Sequence, residues 1–281
     1  MQLDLIDVFA TGPLTGNPLA VVRGAETMSD GEMLALTRWL GYSETTFLLS
    51  PDDPAADYRL RIFYPSGELP FAGHPTLGSC HAWLEAGGIP KRDGAIVQQC
   101  GAGLIEISAQ GGMLHFKAPP LLRKGPLDEG ATVEAARLLG ISLADIIEAV
   151  HADNGPGWVL LRLRDAAALR AATIAAKPDG RADIGLFTVS EAGSPADFEV
   201  RAFFTKPDGA LVEDPVTGSL NAAIAQYVFA NGLATGAYRA SQGHAVGADG
   251  LVYCRQEADG SIWIGGMVRS VASSALLHRP I

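Results

Sequence analysis

Hydrophobic and polar positions in the first part of the chain predict short strands joined by turns and one amphipathic helix. Polar and apolar residues alternate over 4–9, as in a half-buried strand, and a turn-rich stretch then precedes the apolar run 19–22. Ser29 and Glu32 have the spacing of a capping box, and apolar residues recur at helical spacing until Gly41. We therefore predict strand, strand and a helix of about three turns.

The next segment predicts two strands and a second helix. Residues 41–50 form a β-branched and aromatic run with Glu44 near its start, and residues 58–64 alternate with period two. A helix is expected from His74 toward Glu85, with Pro75 at its first helical position, where the missing N–H costs nothing.

The remaining pattern mixes hairpins, strands and helices. We predict a hairpin from strands 103–108 and 113–117, a linker over 118–126, helices over 133–140, 143–150 and 165–172, and a strand over 158–163. This order suits an α+β fold better than a parallel doubly wound fold.

A repeat in the sequence predicts two related domains. Residues 70–79 and 213–219 have similar composition and order, and an offset of 140 positions gives seven identities over the 24 positions from 56 to 79. We assign one domain to residues 1–118 and another to 119–281, and the last ten or so residues are candidates to pack back on the first domain.

Composition limits the kinds of partner. The chain of 281 residues is 48% hydrophobic and 19% charged, and its formal net charge of −10 argues against nucleic acid or an anionic membrane surface as a partner. The start of the chain has no secretory-signal pattern, and polar residues interrupt its most apolar long window, 220–237. Three cysteines without CxxC spacing indicate neither a disulfide framework nor a zinc site. We expect a cytoplasmic protein with a small-molecule substrate.

The two repeated stretches are the best candidates for chemistry. His74 and Asp214 each precede a proline at a predicted helix start, where open backbone N–H groups and the helix dipole would hold a carboxylate. An N-cap role alone would also explain Asp214, and a structural role stays open for His74. Ser219 could bind a substrate carboxylate or act as a local cap.

Glu44 is the candidate acid or base, because it lies among apolar and β-branched neighbours at the start of a predicted strand. A solvated position on an edge strand is the alternative. At the offset of 140, Glu44 aligns with Ile184, so the chemistry would be divided unequally, as expected for one active site between two domains. No GxGxxG motif follows a strand, and no Walker loop or HExxH motif occurs, so we infer no nucleotide or metal requirement.

Four motifs together resemble the PhzF family of phenazine-biosynthesis-like isomerases. They are GNP at 16–18, SETT at 43–46, the run from RIF to ELPFAGHPT over 61–76, and EDPVTGS at 213–219. The resemblance runs along nearly the whole chain, in the family's order and spacing. It implies a diaminopimelate epimerase-like fold, in which each of two pseudo-symmetric domains is a β-barrel-like sheet around a central helix, with the active site in the interdomain cleft.

The resemblance also implies roles for residues. Glu44 matches the family's acid/base glutamate, while His74, Asp214 and Ser219 match its polar partners. Family members are commonly homodimers, and the enzyme for which the family is named relocates a proton in dihydro-3-hydroxyanthranilate without a metal or organic cofactor. Racemases of this fold use two cysteines at facing helix starts, which this sequence lacks at those positions.

We therefore predict a cofactor-independent isomerase that moves a proton on a small carboxylate-bearing substrate. Its predicted catalytic residues are Glu44, His74 and Asp214, its predicted substrate-binding residues are Asn17, Gly73, Gly218 and Ser219, and no metal ligand is predicted. An epimerase or dehydratase of the same fold, or a non-catalytic small-molecule-binding relative, are the alternatives.

Overall fold

The computed structural model of the protein describes residues 1–278 and divides into two compact units. In chain order the strands are β1 (Gln2–Val8), β2 (Asn17–Arg23), β3 (Thr45–Leu49), β4 (Tyr58–Tyr64), β5 (Gly67–Leu69), β6 (Ile96–Cys100), β7 (Gly103–Gln110), β8 (Met113–Lys117), β9 (Arg123–Pro126), β10 (Ile146–Asp153), β11 (Val159–Leu163), β12 (Asp183–Val189), β13 (Phe198–Thr205), β14 (Leu211–Asp214), β15 (Ala237–Gln242), β16 (Gly250–Gln256), β17 (Ile262–Gly266) and β18 (Val268–Leu276). The helices are α1 (Asp30–Leu40), α2 (Gly73–Glu85), α3 (Glu129–Leu139), α4 (Ala166–Ala171) and α5 (Gly218–Ala230). The fold is α+β. None of the helices described is long and apolar enough to cross a bilayer.

The first unit comprises Met1–Lys117 together with the described residues from Gly265 onward, and the second comprises Ala118–Ile264. The C-terminal strand β18 accounts for this division, because it pairs with β1. The return begins before the last ten or so residues predicted to pack on the first domain, because β18 starts at Val268.

The first unit is a mixed sheet built on parallel and antiparallel pairs. Strands β18, β1, β2, β3 and β4 are neighbours in that order, with β2 and β3 parallel and the other pairs antiparallel. Beyond β4 the sheet continues through β5 at one end and, by a parallel pairing, through β6 at the other, followed by β7 and β8. Because β3 lies between two strands, Glu44 precedes a central strand and not an edge strand.

Helix α2 is the central helix of the first unit. It packs against strands β1, β2, β3, β4, β6, β8 and β18, and every residue from Gly73 to Cys80 is buried. Gly78 permits this close approach, because a Cβ there would lie 2.6 Å from the Leu19 side chain. Helix α1, capped by Ser29 and Gly41 as predicted, covers another apolar cluster that includes Phe47.

The second unit repeats this plan. Strands β9, β10, β11, β12 and β13 are neighbours, with β11 and β12 parallel, and β13 pairs with β14 and, in parallel, with β15, which pairs with β16. Helix α5 is almost entirely buried, while α3 and α4 cover an apolar cluster on β11, β12 and β13. The prediction of a helix over 143–150 is wrong, because β10 begins at Ile146, and the predicted linker contains β9.

One ion pair marks the equivalent hairpin in each unit. Arg61 on β4 binds both oxygens of Glu68 on β5, and Arg201 on β13 binds both oxygens of Glu213 on β14. The Arg201–Glu213 pair has side-chain exposures of 9% and 7%, against 23% and 40% for Arg61–Glu68. The repeat seen in the sequence is therefore a structural repeat, with one copy of the pair buried and the other open to water.

The repeat offset is not constant. Arg61 and Arg201 are 140 positions apart, but the N-caps Ala72 and Thr217 of α2 and α5 are 145 positions apart. The turn between β13 and β14 spans residues 206–210, whereas the turn between β4 and β5 spans only 65–66. Beyond these turns, an alignment at a fixed offset of 140 matches residues that are not structurally equivalent.

Candidate active site

The candidate residues of the first unit meet at the N-terminus of α2. Glu44 directly precedes β3, His74 is the second residue of α2, and Asn17 begins β2. The predicted helix start is wrong by one residue, and Pro75 is the third helical residue instead of the first. The N-cap residue Ala72 makes no side-chain capping bond, so this helix end is not closed by its own N-cap side chain.

Glu44 and His74 form the central contact of this group. His74 Nε2 lies 3.4 Å from Glu44 Oε2, and the side chains are 7% and 17% exposed. On the other side of the ring, His74 Nδ1 lies 3.5 Å from the buried Asn17 Nδ2. The structure thus brings three predicted residues together around one imidazole, with Gly73 beside them in the chain.

The contact with Asn17 favours one tautomer of His74. When the Asn17 amide N–H donates to Nδ1, a neutral imidazole carries its proton on Nε2, the ring nitrogen that lies 3.4 Å from Glu44 Oε2. A protonated ring would instead place an N–H at Nδ1 against the amide N–H of Asn17. Glu44 and Asn17 therefore have opposite effects on the proton affinity of His74.

Burial lowers the pKa of His74 to about 3, from an ordinary value of 6.5. Glu44, at 3.4 Å, would favour the imidazolium, but the loss of hydration around a ring that is 6% exposed outweighs this attraction. His74 is therefore neutral at physiological pH and can donate one hydrogen bond.

This shift predicts a pH-dependent stability. Since the folded pKa lies below the unfolded value of 6.5, the unfolded chain binds more protons between pH 3 and 6.5, and stability falls as the pH drops through that window. Above pH 6.5 His74 is neutral in both states and does not lower the stability. Lowering the pH from 7 to 5 should reduce the free energy of unfolding by about 2 kcal/mol because of His74.

Urea unfolding at pH 7 and pH 5 measures this effect. His74→Gln should reduce the pH-dependent loss of unfolding free energy by about 2 kcal/mol. An identical loss in wild type and His74→Gln would show that His74 is not a buried neutral histidine.

Buried polar contacts hold α2 in place behind His74. Gln98 Nε2 donates to Thr76 Oγ1 at 3.0 Å, while Gln98 Oε1 accepts from Tyr58 Oη at 3.2 Å. The hydroxyls of Thr46 and Ser79 lie 2.8 Å apart, so β3 is tied to α2 close to Glu44. These bonds satisfy buried polar groups and fix the helix against the strand that positions Glu44.

The second unit places Asp214 differently from the prediction. Asp214 is the last residue of β14, and the N-cap of α5 is Thr217, so neither the alternative N-cap role of Asp214 nor its predicted match with His74 is correct. Because the offset has changed to 145, the structural counterpart of His74 is Ser219, the second residue of α5. The longer β13–β14 hairpin causes this displacement, because its turn is three residues longer than the β4–β5 turn and each of its two strands extends one residue further.

Asp214 is held by a network centred on Gln242. The Thr217 hydroxyl donates to Asp214 Oδ2, and Gln242 Nε2 donates to Thr217 Oγ1 at 2.9 Å and to the Asp214 carbonyl at 3.2 Å. Gln242 Oε1 accepts from the Thr217 N–H and from Asn221 Nδ2. Since Gln242 is completely buried, one amide fixes both the end of β14 and the start of α5.

Gly218 and Ser219 begin α5. Two residues of the β10–β11 loop donate hydrogen bonds to Ser219. Trp158 Nε1 donates to Ser219 Oγ at 3.1 Å, and Asn154 Nδ2 donates to the Ser219 carbonyl at 2.8 Å. A hydroxyl, a carboxylate and a helix N-terminus thus belong to one segment of the second unit, from Asp214 to Ser219.

The strand pairing in the two units shows that the counterpart of Glu44 is not the predicted Ile184. Thr45 pairs with Phe63 in the first unit, and Ile184 pairs with Phe203 in the second, which makes Thr45 equivalent to Ile184. Glu44 therefore corresponds to Asp183, and the match of Glu44 with Ile184 is wrong. Burial raises the pKa of Asp183 despite its 2.6 Å contact with Arg181. Both units carry an acidic residue at this place.

The cysteines contribute no exposed thiol to either helix start. Cys80 lies within α2, where burial raises its pKa to about 12, and Cys254 on β16 is likewise buried with a pKa of about 12. Both thiols stay protonated at neutral pH, which is the state expected of packing residues.

Five residues around the site are not predicted from the sequence: Gln98, Gln242, Trp158, Asn154 and Thr217. A fixed offset hides the two glutamines, since they lie 144 positions apart. Asn154 and Trp158 flank a Gly-Pro-Gly turn and carry no motif. Only Thr217 had an available signal, because threonine is a favoured N-cap residue immediately before a glycine at a helix start.

Comparison with known proteins places these features in a family. The family model described as phenazine biosynthesis-like protein matches residues 6–267. The protein named antisense-enhancing sequence 1 of Schizosaccharomyces pombe is 36% identical over 236 residues, covering 79% of this chain and 78% of that protein. The trans-2,3-dihydro-3-hydroxyanthranilate isomerase of Pseudomonas chlororaphis is 33% identical over 264 residues, covering 90% and 89%.

Solved structures share the fold. A structure described as a predicted epimerase from Pseudomonas aeruginosa has a TM-score of 0.81 and 29% identity, and the match covers 99% of both chains. A probable proline racemase from Agrobacterium radiobacter shares the fold alone, with a TM-score of 0.59 and 14% identity over 98% of this chain and 92% of that one. The fold is therefore of the diaminopimelate epimerase-like class.

Proposed function

Since this chain belongs to the phenazine biosynthesis-like (PhzC-PhzF) family and is an isomerase, we propose that it moves a proton on a small carboxylate-bearing substrate by general acid/base catalysis. The contact between Glu44 Oε2 and His74 Nε2 carries this proposal, because it joins a carboxylate that can accept a proton to a neutral histidine at a helix N-terminus.

Each group has a distinct proposed role. Glu44 removes the proton from carbon and returns it to another position, while the neutral Nε2–H of His74 orients the Glu44 carboxylate and stabilises its charge. Asn17 keeps His74 in the required tautomer. These roles use residues of the first unit alone.

The second unit supplies the substrate-binding groups in this proposal. Ser219 and the backbone N–H group of Gly218 bind the substrate carboxylate, since helix N-termini favour anions. Asp214, held by Thr217 and Gln242, orients a polar group of the substrate. That residues of both units serve one substrate stays a prediction, as do the homodimer and the absence of a cofactor.

Turnover in deuterated water tests the reaction class. With trans-2,3-dihydro-3-hydroxyanthranilate, the compound in the name of the Pseudomonas chlororaphis relative, we expect an isomer that contains solvent deuterium at one carbon, formed at the same rate with and without EDTA. Proton NMR and mass spectrometry of the product measure both outcomes, and reactions without protein are the control.

Other products would identify the alternatives. Loss of water would establish a dehydratase, and recovery of the inverted stereoisomer, seen by chiral chromatography, would establish an epimerase. Asp183 favours the epimerase as the second candidate, because two-base inversion requires a second acid, and Asp183 occupies in its unit the place that Glu44 occupies in the other.

A further inference from the structure

The hydroxyl of Ser219, the second residue of α5, accepts a hydrogen bond that affects which ligand groups it can bind. Trp158 Nε1 donates to Ser219 Oγ at 3.1 Å, and Trp158 is only 3% exposed. Among the residues that the structure describes, Trp158 is the hydrogen-bond partner of this hydroxyl. The bond therefore governs where the hydroxyl hydrogen of Ser219 can point.

The loop that carries Trp158 is well defined by its own bonds. Asp153 Oδ1 accepts the N–H groups of Gly155 and Gly157 at 2.7 and 2.8 Å, and the Ala152 N–H donates to the Trp158 carbonyl at 3.0 Å. Gly155 and Gly157 have φ values of 135° and 97°, which side chains rarely allow. The loop fixes the backbone of Trp158 and so directs its indole toward α5.

An indole N–H is a donor only, whereas a serine hydroxyl has one hydrogen and two acceptor lone pairs. Because Trp158 donates to one lone pair of Ser219 Oγ, the hydroxyl hydrogen cannot be directed at the indole. It remains available to a ligand atom with a lone pair. The arrangement thus presents Ser219 as a hydrogen-bond donor.

The first unit has the same arrangement at the equivalent helical position. Asn17 Nδ2 lies 3.5 Å from His74 Nδ1, and an N–H donated there places the proton of a neutral ring on Nε2, 3.4 Å from Glu44 Oε2. Asn17 follows the loop between β1 and β2, and Trp158 ends the loop between β10 and β11. Each places a side-chain N–H against the second residue of the central helix in its unit. The recurrence in two unrelated side-chain pairs argues that the donor orientation is a property of the site.

We propose that Trp158 is a positioning residue that fixes Ser219 as a hydrogen-bond donor and thereby selects a substrate with an acceptor group, a carboxylate, at the start of α5. This inference rests on the proposed function of Ser219 and extends it to Trp158. It involves no chemical step at Trp158, whose indole acts only through the Ser219 hydroxyl.

A double-mutant cycle tests the positioning role. The probe is 3-hydroxyanthranilate, a stable aromatic carboxylate related to the substrate of the Pseudomonas chlororaphis enzyme, with its affinity measured by calorimetry. Trp158→Phe and Ser219→Ala should each weaken binding about 5- to 10-fold, the effect of one hydrogen bond. The double variant should bind about as weakly as Ser219→Ala alone, because the indole acts through the hydroxyl.

The chain offers a matched control. Trp263 Nε1 donates to Ser261 Oγ at the same distance of 3.1 Å, elsewhere in the second unit. Trp263→Phe should leave the affinity unchanged. Full affinity in Trp158→Phe, or losses in Trp158→Phe and Ser219→Ala that simply multiply in the double variant, would overturn the proposal.

The indole N–H resonance of Trp158 gives a readout that needs no ligand and no change at Trp158. It is assigned by elimination, using Trp39→Phe, Trp83→Phe and Trp263→Phe, and it should shift when Ser219 is replaced by Ala. An unchanged resonance would overturn the positioning role by itself. If the resonance shifts but wild type does not bind the carboxylate probe, the carboxylate assignment fails, and with it the proposed function, while the Trp158–Ser219 bond stands.

Discussion

Replacing Glu44 with Gln is expected to reduce kcat by at least about 10³-fold, since the amide retains the shape of the carboxylate but cannot accept a proton. The contact with His74 Nε2 at 3.4 Å should survive, because the amide oxygen can take the place of Oε2. KM should change little, as the proposed carboxylate-binding groups lie elsewhere. Steady-state kinetics with trans-2,3-dihydro-3-hydroxyanthranilate, together with deuterium incorporation into recovered substrate and product, measures this loss.

Two controls make the result specific. Glu134→Gln changes an exposed glutamate of α3 and should retain wild-type turnover. Circular dichroism and the urea midpoint should show that Glu44→Gln is folded. Wild-type turnover and deuterium incorporation in a folded Glu44→Gln protein would exclude Glu44 as the proton-transfer group and would leave the His74 and Asp214 assignments without their central partner.

Replacing Glu213 with Gln is expected to lower the free energy of unfolding by about 3 to 5 kcal/mol. The reason is that the change leaves the guanidinium of Arg201, 9% exposed, without its carboxylate partner. The carbonyls of Leu169 and Ala172, which accept from Arg201 Nη1, reduce this penalty but do not neutralise the charge. Urea unfolding followed by circular dichroism gives the value.

The repeat supplies the control for this prediction. Glu68→Gln breaks the equivalent pair with Arg61, but there the side chains are 23% and 40% exposed, and Asp30 also binds Arg61. We expect a loss below about 1 kcal/mol, as for exposed ion pairs. Equal losses in the two variants would mean that burial does not distinguish the two hairpins.

Strand and helix positions were largely predictable where a local signal is strong. The capping box at Ser29 and Glu32, the period-two alternation of β4, and the Gly111-Gly112 turn between β7 and β8, with φ values of 59° and 76°, all appear in the structure. The 143–150 segment failed because β10 is held by pairing with β9 and β11, which local propensity does not detect.

The candidate site was predictable only in part. A motif in the sequence leads to Glu44 and His74, but only a strand register leads from Glu44 to Asp183, and only three-dimensional packing brings Trp158 to Ser219. Strand register depends on which strands pair with each other, and this pairing cannot be predicted from the spacing of residues along the sequence. The position of Asp214 at a strand end, with Thr217 as the cap, likewise depends on the length of a neighbouring turn.

That turn, residues 206–210, has an evolutionary consequence. It is mostly exposed and longer than its counterpart at 65–66, yet β14 returns to the register of β5, so that the N-caps, the helix lengths and the Arg–Glu pairs of the two units remain equivalent. Lengthening a loop costs little, only about 0.6 kcal/mol for each doubling. Duplicated units can therefore diverge in length at such turns without disturbing catalytic geometry, and gaps between paralogous halves should be sought in their hairpin loops before their motifs are aligned.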